Sequence, residues 1–387
     1  MPIVRLPTAD RRVESYVPGP ASPYPPVAAG GFPRIAYAAA HVVADPGVDA
    51  APWQTPAVDW EATLAFRRHL WGLGFKVAEA MDTSQRGMGL DWPTALELIR
   101  RSVAEARTIP GADLACGVGT DQLAPDPGIA LDQVRRAYEE QLDAVEATGG
   151  RAILMASRAL VSAARSAEDY LSLYGGLIRQ AREPVILHWL GAMFDPALEG
   201  YWGSRDLDQA TETVAALLHT HSAKVDGIKV SLLDKERELQ LRRRLPEGVR
   251  MYTGDDFNYA ELIEGDPLGY SHALLGIFDP VAPAAAAALT ALAVDDHARF
   301  RAILESTVPL SRRIFEVPTQ YYKAGVVLLA WLNGHQDHFV MVGGLQSARS
   351  AVHYADVFRL ADQARLLGDP ELACARIQAL MAVHGIG

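Results

Sequence analysis

The residues VDGIKVS (Val225–Ser231) close a short apolar run on a lysine and a serine. A lysine at the end of a buried strand is partly desolvated, which favours its neutral amine. A neutral amine condenses with a ketone or aldehyde to an imine, and the protonated imine is an electron sink for cleaving or forming a neighbouring C–C bond or, once an α proton is lost, for expelling a β-hydroxyl. Lys229 is therefore the residue around which chemistry could be organised; a solvated lysine at a strand end is the alternative. Residues of usable type recur at the ends of similar runs: His41, then Glu79 with Asp82 and Thr83, Thr120, Ser157, His188, Gly254-Asp255-Asp256, and His272.

The elements that must position these residues show a regular alternation. Eight short apolar runs begin near Arg34, Phe75, Ala112, Arg151, Pro184, Asp226, Val249 and Tyr270, each bounded by Gly, Pro or Asp. Between them, residues 60–73, 92–108, 131–148, 167–182 and 206–222 carry apolar residues at i, i+3, i+4 and i+7, the spacing of one helix face. Asp91 before Trp92-Pro93, and Asp206, read as N-caps. Near-continuous apolar strands alternating with helices predict a parallel sheet covered on both faces. Eight units in succession predict an α/β fold of the closed (β/α)8 TIM-barrel type. No G-x-G-x-x-G follows the first run, which disfavours a dinucleotide-binding sheet. After Pro280 only helical texture remains. The expected organisation is a proline-rich N-terminal arm over 1–33, the barrel over 34–280 and a helical extension over 281–387.

Composition excludes several function classes. The chain has 387 residues, and its formal charge of −11 lacks the basic excess of a nucleic-acid-binding face. Its longest apolar stretch, AGVVLLAWL from Ala324, is about half a membrane span. The first 33 residues have no apolar core of the signal-peptide type. Cys116 and Cys374 lie far apart in apolar surroundings and read as reduced core residues, which predicts a cytoplasmic protein.

Three segments, VDGIKVS, VRMYTGDD and GYSHALLGIFDP, resemble strands six to eight of the dihydrodipicolinate synthase/N-acetylneuraminate lyase superfamily. VDWEATLAFRRHLWGLGFKVAEA is similar to that family's first helix and second strand, ADLACGVGT to its third strand, EPVILHW to its fifth, and VPTQYYKAGVVLLAW to its terminal helices. The resemblance spans roughly residues 32–344, and only G-I-K is specific within it. It implies that Lys229 is the Schiff-base lysine, that no cofactor is required, and that the protein is a homodimer or homotetramer acting on a small molecule.

Two departures from the family bear on substrate. Where the family has a G-T-T-G-E type loop that holds a keto-acid carboxylate, this chain has Glu79-Ala80-Met81-Asp82-Thr83-Ser84-Gln85. If Glu79 and Asp82 face the cavity they repel an anionic group, while Thr83 and Ser84 keep hydroxyls. Glu79 on the helix-facing side of its strand, and Asp82 as a loop cap, are the other placements open. Where the family has a proton-relaying tyrosine, this chain has His188, which can carry the same proton or sit as a core histidine. The loop 191–205 holds Phe194, Tyr201 and Trp202, which suit a lid or sugar-stacking platform and equally suit buried packing.

The expected function is that of a class I lyase or aldolase with Lys229 and His188 as catalytic residues, acting on a polyhydroxylated carbonyl compound such as a keto-sugar or sugar-acid derivative. Glu79, Asp82, Thr83, Ser84, Ser231, Gly254, Asp255 and Asp256 are the expected substrate contacts. Two other readings compete. A metal-dependent lyase or isomerase would draw ligands from His41, Glu79, Asp82, His188, Asp255, Asp256 and His272. A sugar-binding protein without catalysis would use the same scaffold.

Overall fold

The computed structural model describes residues 3–21, 24, 31–123, 126 and 128–386. Eight strands close into one parallel barrel: β1 (Ala36–Ala39), β2 (Lys76–Glu79), β3 (Leu114–Val118), β4 (Arg151–Leu154), β5 (Val185–Leu190), β6 (Val225–Ser231), β7 (Arg250–Thr253) and β8 (His272–Leu275). They neighbour one another in chain order, and β8 pairs with β1 to close the ring. The (β/α)8 expectation is the architecture observed.

The barrel interior is filled by side chains from alternate positions, among them Tyr37, Ala78, Ala115, Ile153, Ile186, Tyr252 and Leu274. Two tyrosines in so small a ring need small neighbours. Gly227 supplies one: a Cβ there would lie 2.6 Å from the Tyr252 ring and from the Arg250 carbonyl. That is a packing reason for the glycine in G-I-K. Counting on by twos from Gly227 puts Lys229 and Ser231 on the same inward face.

The intervening helices start where the caps predict. The Asp91 carboxylate accepts from Thr94 N, and Trp92–Ala106 follows; Asp206 accepts from Asp208 N ahead of Leu207–His221. The helix that follows β6 is Lys235–Arg242, with Asp234 as its N-cap accepting from Arg237 N.

The chain divides into two compact units. One, residues 34–40 and 76–276, contains all eight strands. The other comprises 1–33, 41–75 and 277–387. Within this second unit the expected extended arm is a two-stranded antiparallel hairpin, Val4–Pro7 with Val13–Tyr16. Arg359 donates to the carbonyls of Leu6 and Pro7, and Asp362 accepts from the Tyr16 hydroxyl at 2.6 Å. Four prolines of the arm, at 2, 23, 25 and 26, lie outside the described residues. Both cysteines are buried and free, and no helix among the described residues is long and apolar enough to cross a membrane.

Candidate active site

Lys229 sits on β6 two residues before the strand's C-terminal end, 7% exposed. Among the described residues nothing hydrogen-bonds or ion-pairs with its ammonium. Burial lowers its pKa below that of an ordinary lysine; the carboxylates of Asp82 and Asp256 pull the other way but do not cancel the effect. Gly254, at the end of β7, leaves the space the lysine stem occupies: a Cβ there would stand 2.7 Å from Lys229 Cε and 2.2 Å from Ser231 Oγ. Gly254 is thus a steric requirement of the lysine.

His188 on β5 is the register partner of Lys229. Its Nε2 lies 3.2 Å from Ser231 Oγ, and its Nδ1, without a hydrogen bond, lies 3.8 Å from Asp82 Oδ2. Burial, reinforced by the adjacent lysine, holds its pKa well below the ordinary histidine value. The imidazole is therefore neutral near pH 7 and available as a base.

Asp82 opens the short 3-10 turn Asp82–Ser84 after β2. The turn is set by Ala80, held at φ +52°, and by Arg86. Arg86 commits every donor it has: Nε and Nη2 to Asp121, Nη2 also to Gln141 Oε1 at 2.8 Å, and Nη1 to the carbonyls of Ala80 and Gly117 at 3.1 and 3.2 Å. Burial alone would raise the Asp121 pKa, but the guanidinium overcomes it and holds the carboxylate below its usual range. Arg86 braces the loop and has no donor left for a ligand.

These groups border a chamber of about 320 Å³ walled by the ends of β2 to β5 and the loops that follow. Asp82 and His188 line it, with Thr120, Ser157, Arg158 and Asp195. Lys229 does not line it; it adjoins the chamber through His188 and Asp82, the two chamber residues with which it interacts electrostatically.

Several expected contacts are placed elsewhere. Glu79 follows Ala78, whose side chain fills the barrel interior, so Glu79 points to the helix side. There its Oε1 accepts from Ala80 N at 2.9 Å, and it pairs in register with Cys116, whose sulfur lies against the helix Leu131–Thr148. Ser84 donates its hydroxyl to Met81 O at 2.7 Å, and Thr83 is buried away from the chamber lining. Asp255 accepts from the Phe257 and Asn258 backbone amides and so caps the turn after β7. His272 begins β8 at the opposite end of the barrel, its Nδ1 accepting from Ile35 N. His41 belongs to the second unit, paired with Asp279 at 2.8 Å. The seven residues considered as metal ligands thus do not converge, and no group of three or more His, Cys, Asp or Glu among the described residues is arranged to hold a metal.

The aromatic loop packs rather than stacks on the chamber. Phe194, Tyr201 and Trp202 are buried, Trp202 against Tyr170 and Tyr174, and the Tyr201 hydroxyl lies 2.6 Å from that of Tyr174. The same hydroxyl accepts from Ser157 N at 3.1 Å. The charged members of the rim, Arg158 and Asp195, were not expected from sequence; they are 37 residues apart and no local pattern links them.

A parallel eight-stranded barrel with a desolvated lysine at the end of its sixth strand has the fold of the dihydrodipicolinate synthases. The solved synthase of Aquifex aeolicus matches at a TM-score of 0.64 with 14% identity, covering 86% of this chain and 99% of its own. YagE of E. coli K12, a prophage protein of the dihydrodipicolinic acid synthase family solved in complex with pyruvate, matches at 0.67 with 12% identity over the same shares. The chloride-inhibited synthase of Acinetobacter baumannii, complexed with pyruvate, matches at 0.62 with 16% identity, again over 86% and 99%. At these identities the likeness is one of fold. By sequence, residues 4–386 match the family described as "Protein of unknown function (DUF993)", and the chain belongs to that family. No curated protein matches it.

Proposed function

We propose that the protein is a cofactor-free lyase of the Schiff-base type, with Lys229 as nucleophile and His188 as proton carrier. The observation that carries this reading is the buried, unpaired lysine set in register beside a neutral histidine. Lys229 Nζ attacks the substrate carbonyl carbon, the C=O pair moves to oxygen, and that oxygen is protonated. Nitrogen loses a proton and water departs, leaving the protonated imine. His188 carries these protons, with Ser231 orienting its Nε2. In cleavage the imine accepts the electron pair of the adjacent C–C bond as the β-hydroxyl loses its proton; in dehydration it accepts the pair of an α C–H bond, the proton passing to His188, and the resulting enamine expels the β-hydroxyl, which takes up that proton and leaves as water.

The substrate class we assign is a small hydroxylated carbonyl compound. Asp82 supports it, being an acceptor-only carboxylate beside the lysine that suits hydroxyls and repels an anion attached directly to the carbonyl. A homodimer or homotetramer is the assembly we propose.

The test is reductive trapping. Borohydride added with a hydroxylated ketone should leave a stable secondary amine on the peptide bearing Lys229. A lasting adduct on Lys224, Lys235 or Lys323 instead, or none with a substrate shown to turn over, would refute the mechanism.

A further inference from the structure

The geometry points to Arg158 as the anchor for a carboxylate at the end of the substrate remote from the carbonyl that Lys229 attacks, an inference that rests on the imine-forming reading above. Arg158 starts the short helix Arg158–Ala163 at the chamber rim, its side chain 41% exposed, whereas His188 lies buried at the floor. Its backbone is pinned on both sides: Ser157 Oγ accepts from Leu160 N at 2.9 Å, and Tyr201 accepts from Ser157 N. Its Nε donates to Asp195 Oδ2, and Asp195 is itself fixed by Ala197 N, which donates to Oδ1 at 3.1 Å.

That pairing sets the plane of the guanidinium and leaves both terminal nitrogens without an acceptor among the described residues. Four N–H bonds in a fixed fork are therefore presented at the rim. The other chamber arginine, Arg86, has none to offer. A donor-only fork is matched by an acceptor-only carboxylate, which it binds through two parallel bonds; a hydroxyl brings a proton that arginine cannot accept.

The polarity of the chamber fixes where that carboxylate belongs. At the floor Asp82 repels a carboxylate next to the carbonyl, as in a 2-keto acid; at the rim Arg158 attracts one. The substrate class is accordingly a hydroxylated oxo-acid whose carbonyl and carboxylate sit at opposite ends, of a size that fits about 320 Å³.

Two measurements on the full chain separate this inference from the imine reading. Calorimetric binding of D-gluconate and of D-glucitol needs no carbonyl and no imine. Gluconate should bind wild type roughly ten- to a hundredfold more tightly, the worth of a charge-assisted fork. That advantage should vanish in Arg158→Gln, survive in part in Arg158→Lys and persist in Lys229→Gln. Equal affinity for the two in wild type, including no measurable binding of either, or an advantage that persists in Arg158→Gln, overturns the anchor. In borohydride trapping, 4-oxopentanoate should label Lys229 faster than neutral 5-hydroxypentan-2-one, and Arg158→Gln should remove the difference. Equal labelling by both would sink the anchor and leave the imine chemistry standing; gluconate selectivity with no labelling by either ketone would do the reverse.

Discussion

His188 and Lys229 are register partners on β5 and β6, so a neutral imidazole that lines the chamber and a desolvated amine just behind it stand side by side. Burial depresses the proton affinity of both, and at His188 the lysine charge adds to that effect. A neutral imidazole and an amine whose burial favours its neutral form are thereby kept together.

Lys229→Arg should abolish trapping and turnover, because a guanidinium keeps the charge and forms no imine. Lys229→Met should instead raise Tm. The buried amine has a depressed pKa, so near neutral pH the unfolded chain holds the proton more readily than the native one, and this cost fades as pH rises toward 10.5. The Tm gain of Lys229→Met should therefore be larger at pH 7 than at pH 10. A variant with unchanged Tm at pH 7 would contradict the desolvation argument.

His188→Phe should slow turnover by about 10²–10⁴-fold, the usual worth of general acid–base catalysis, with much less change in KM. The buried ring contributes stability that is present above the ordinary value of 6.5 and lost as pH falls below it, since only the unfolded chain then takes up the proton. Acid denaturation followed by circular dichroism should accordingly be shallower below pH 6.5 in the variant.

Asp82→Asn removes the floor charge and keeps a hydrogen-bonding group. Pyruvate should then bind better by roughly two- to fivefold, the screened worth of one charge on a side chain 30% exposed. Exchange of pyruvate methyl protons in D₂O, read by NMR, should quicken in parallel. Efficient pyruvate turnover by the wild type would count against the role given to this carboxylate.

Gly254→Ala places a methyl group where Lys229 Cε and Ser231 Oγ lie. The lysine must move, so activity should collapse, and forced repacking should cost about 1–3 kcal/mol. Gly72→Ala, in the helix Trp60–Gly72 with nothing within 4 Å of the new atom, is the control; it should gain about 0.5–1 kcal/mol and leave the activity intact.

Glu238→Gln reads a different buried acid. Burial, only partly offset by the Ser271 hydrogen bond, raises this carboxyl to about 8. Between its ordinary 4.5 and about 8 the native chain holds a proton that the unfolded chain has lost, so its contribution to stability falls as pH rises through that window. The variant should gain Tm relative to wild type on going from pH 5 to pH 8. A difference that does not vary with pH would show the carboxyl to be ionised in the native protein.

The amino-acid sequence by itself determined what depends on near neighbours. Alternating apolar runs and helical periodicity are enough to specify eight βα units, Asp91 and Asp206 are enough to start two helices, and G-I-K is enough to put Lys229 at a strand end. The barrel rule for strand ends likewise brought His188, Asp82, Ser231 and Gly254 to one region. Only the tertiary structure decided which way each side chain points and what it meets. Glu79 and Asp82 are three residues apart and equally acidic, yet one faces the helices and the other the chamber; strand phase turns every side chain over with a shift of one residue, and closure of the ring sets that phase. The five donors of Arg86 find acceptors contributed by three separate stretches of chain. Arg158 and Asp195 meet only because β4 and β5 are neighbours and their following loops fold over the same rim. Such pairings are long-range consequences of closure, and no local pattern encodes them.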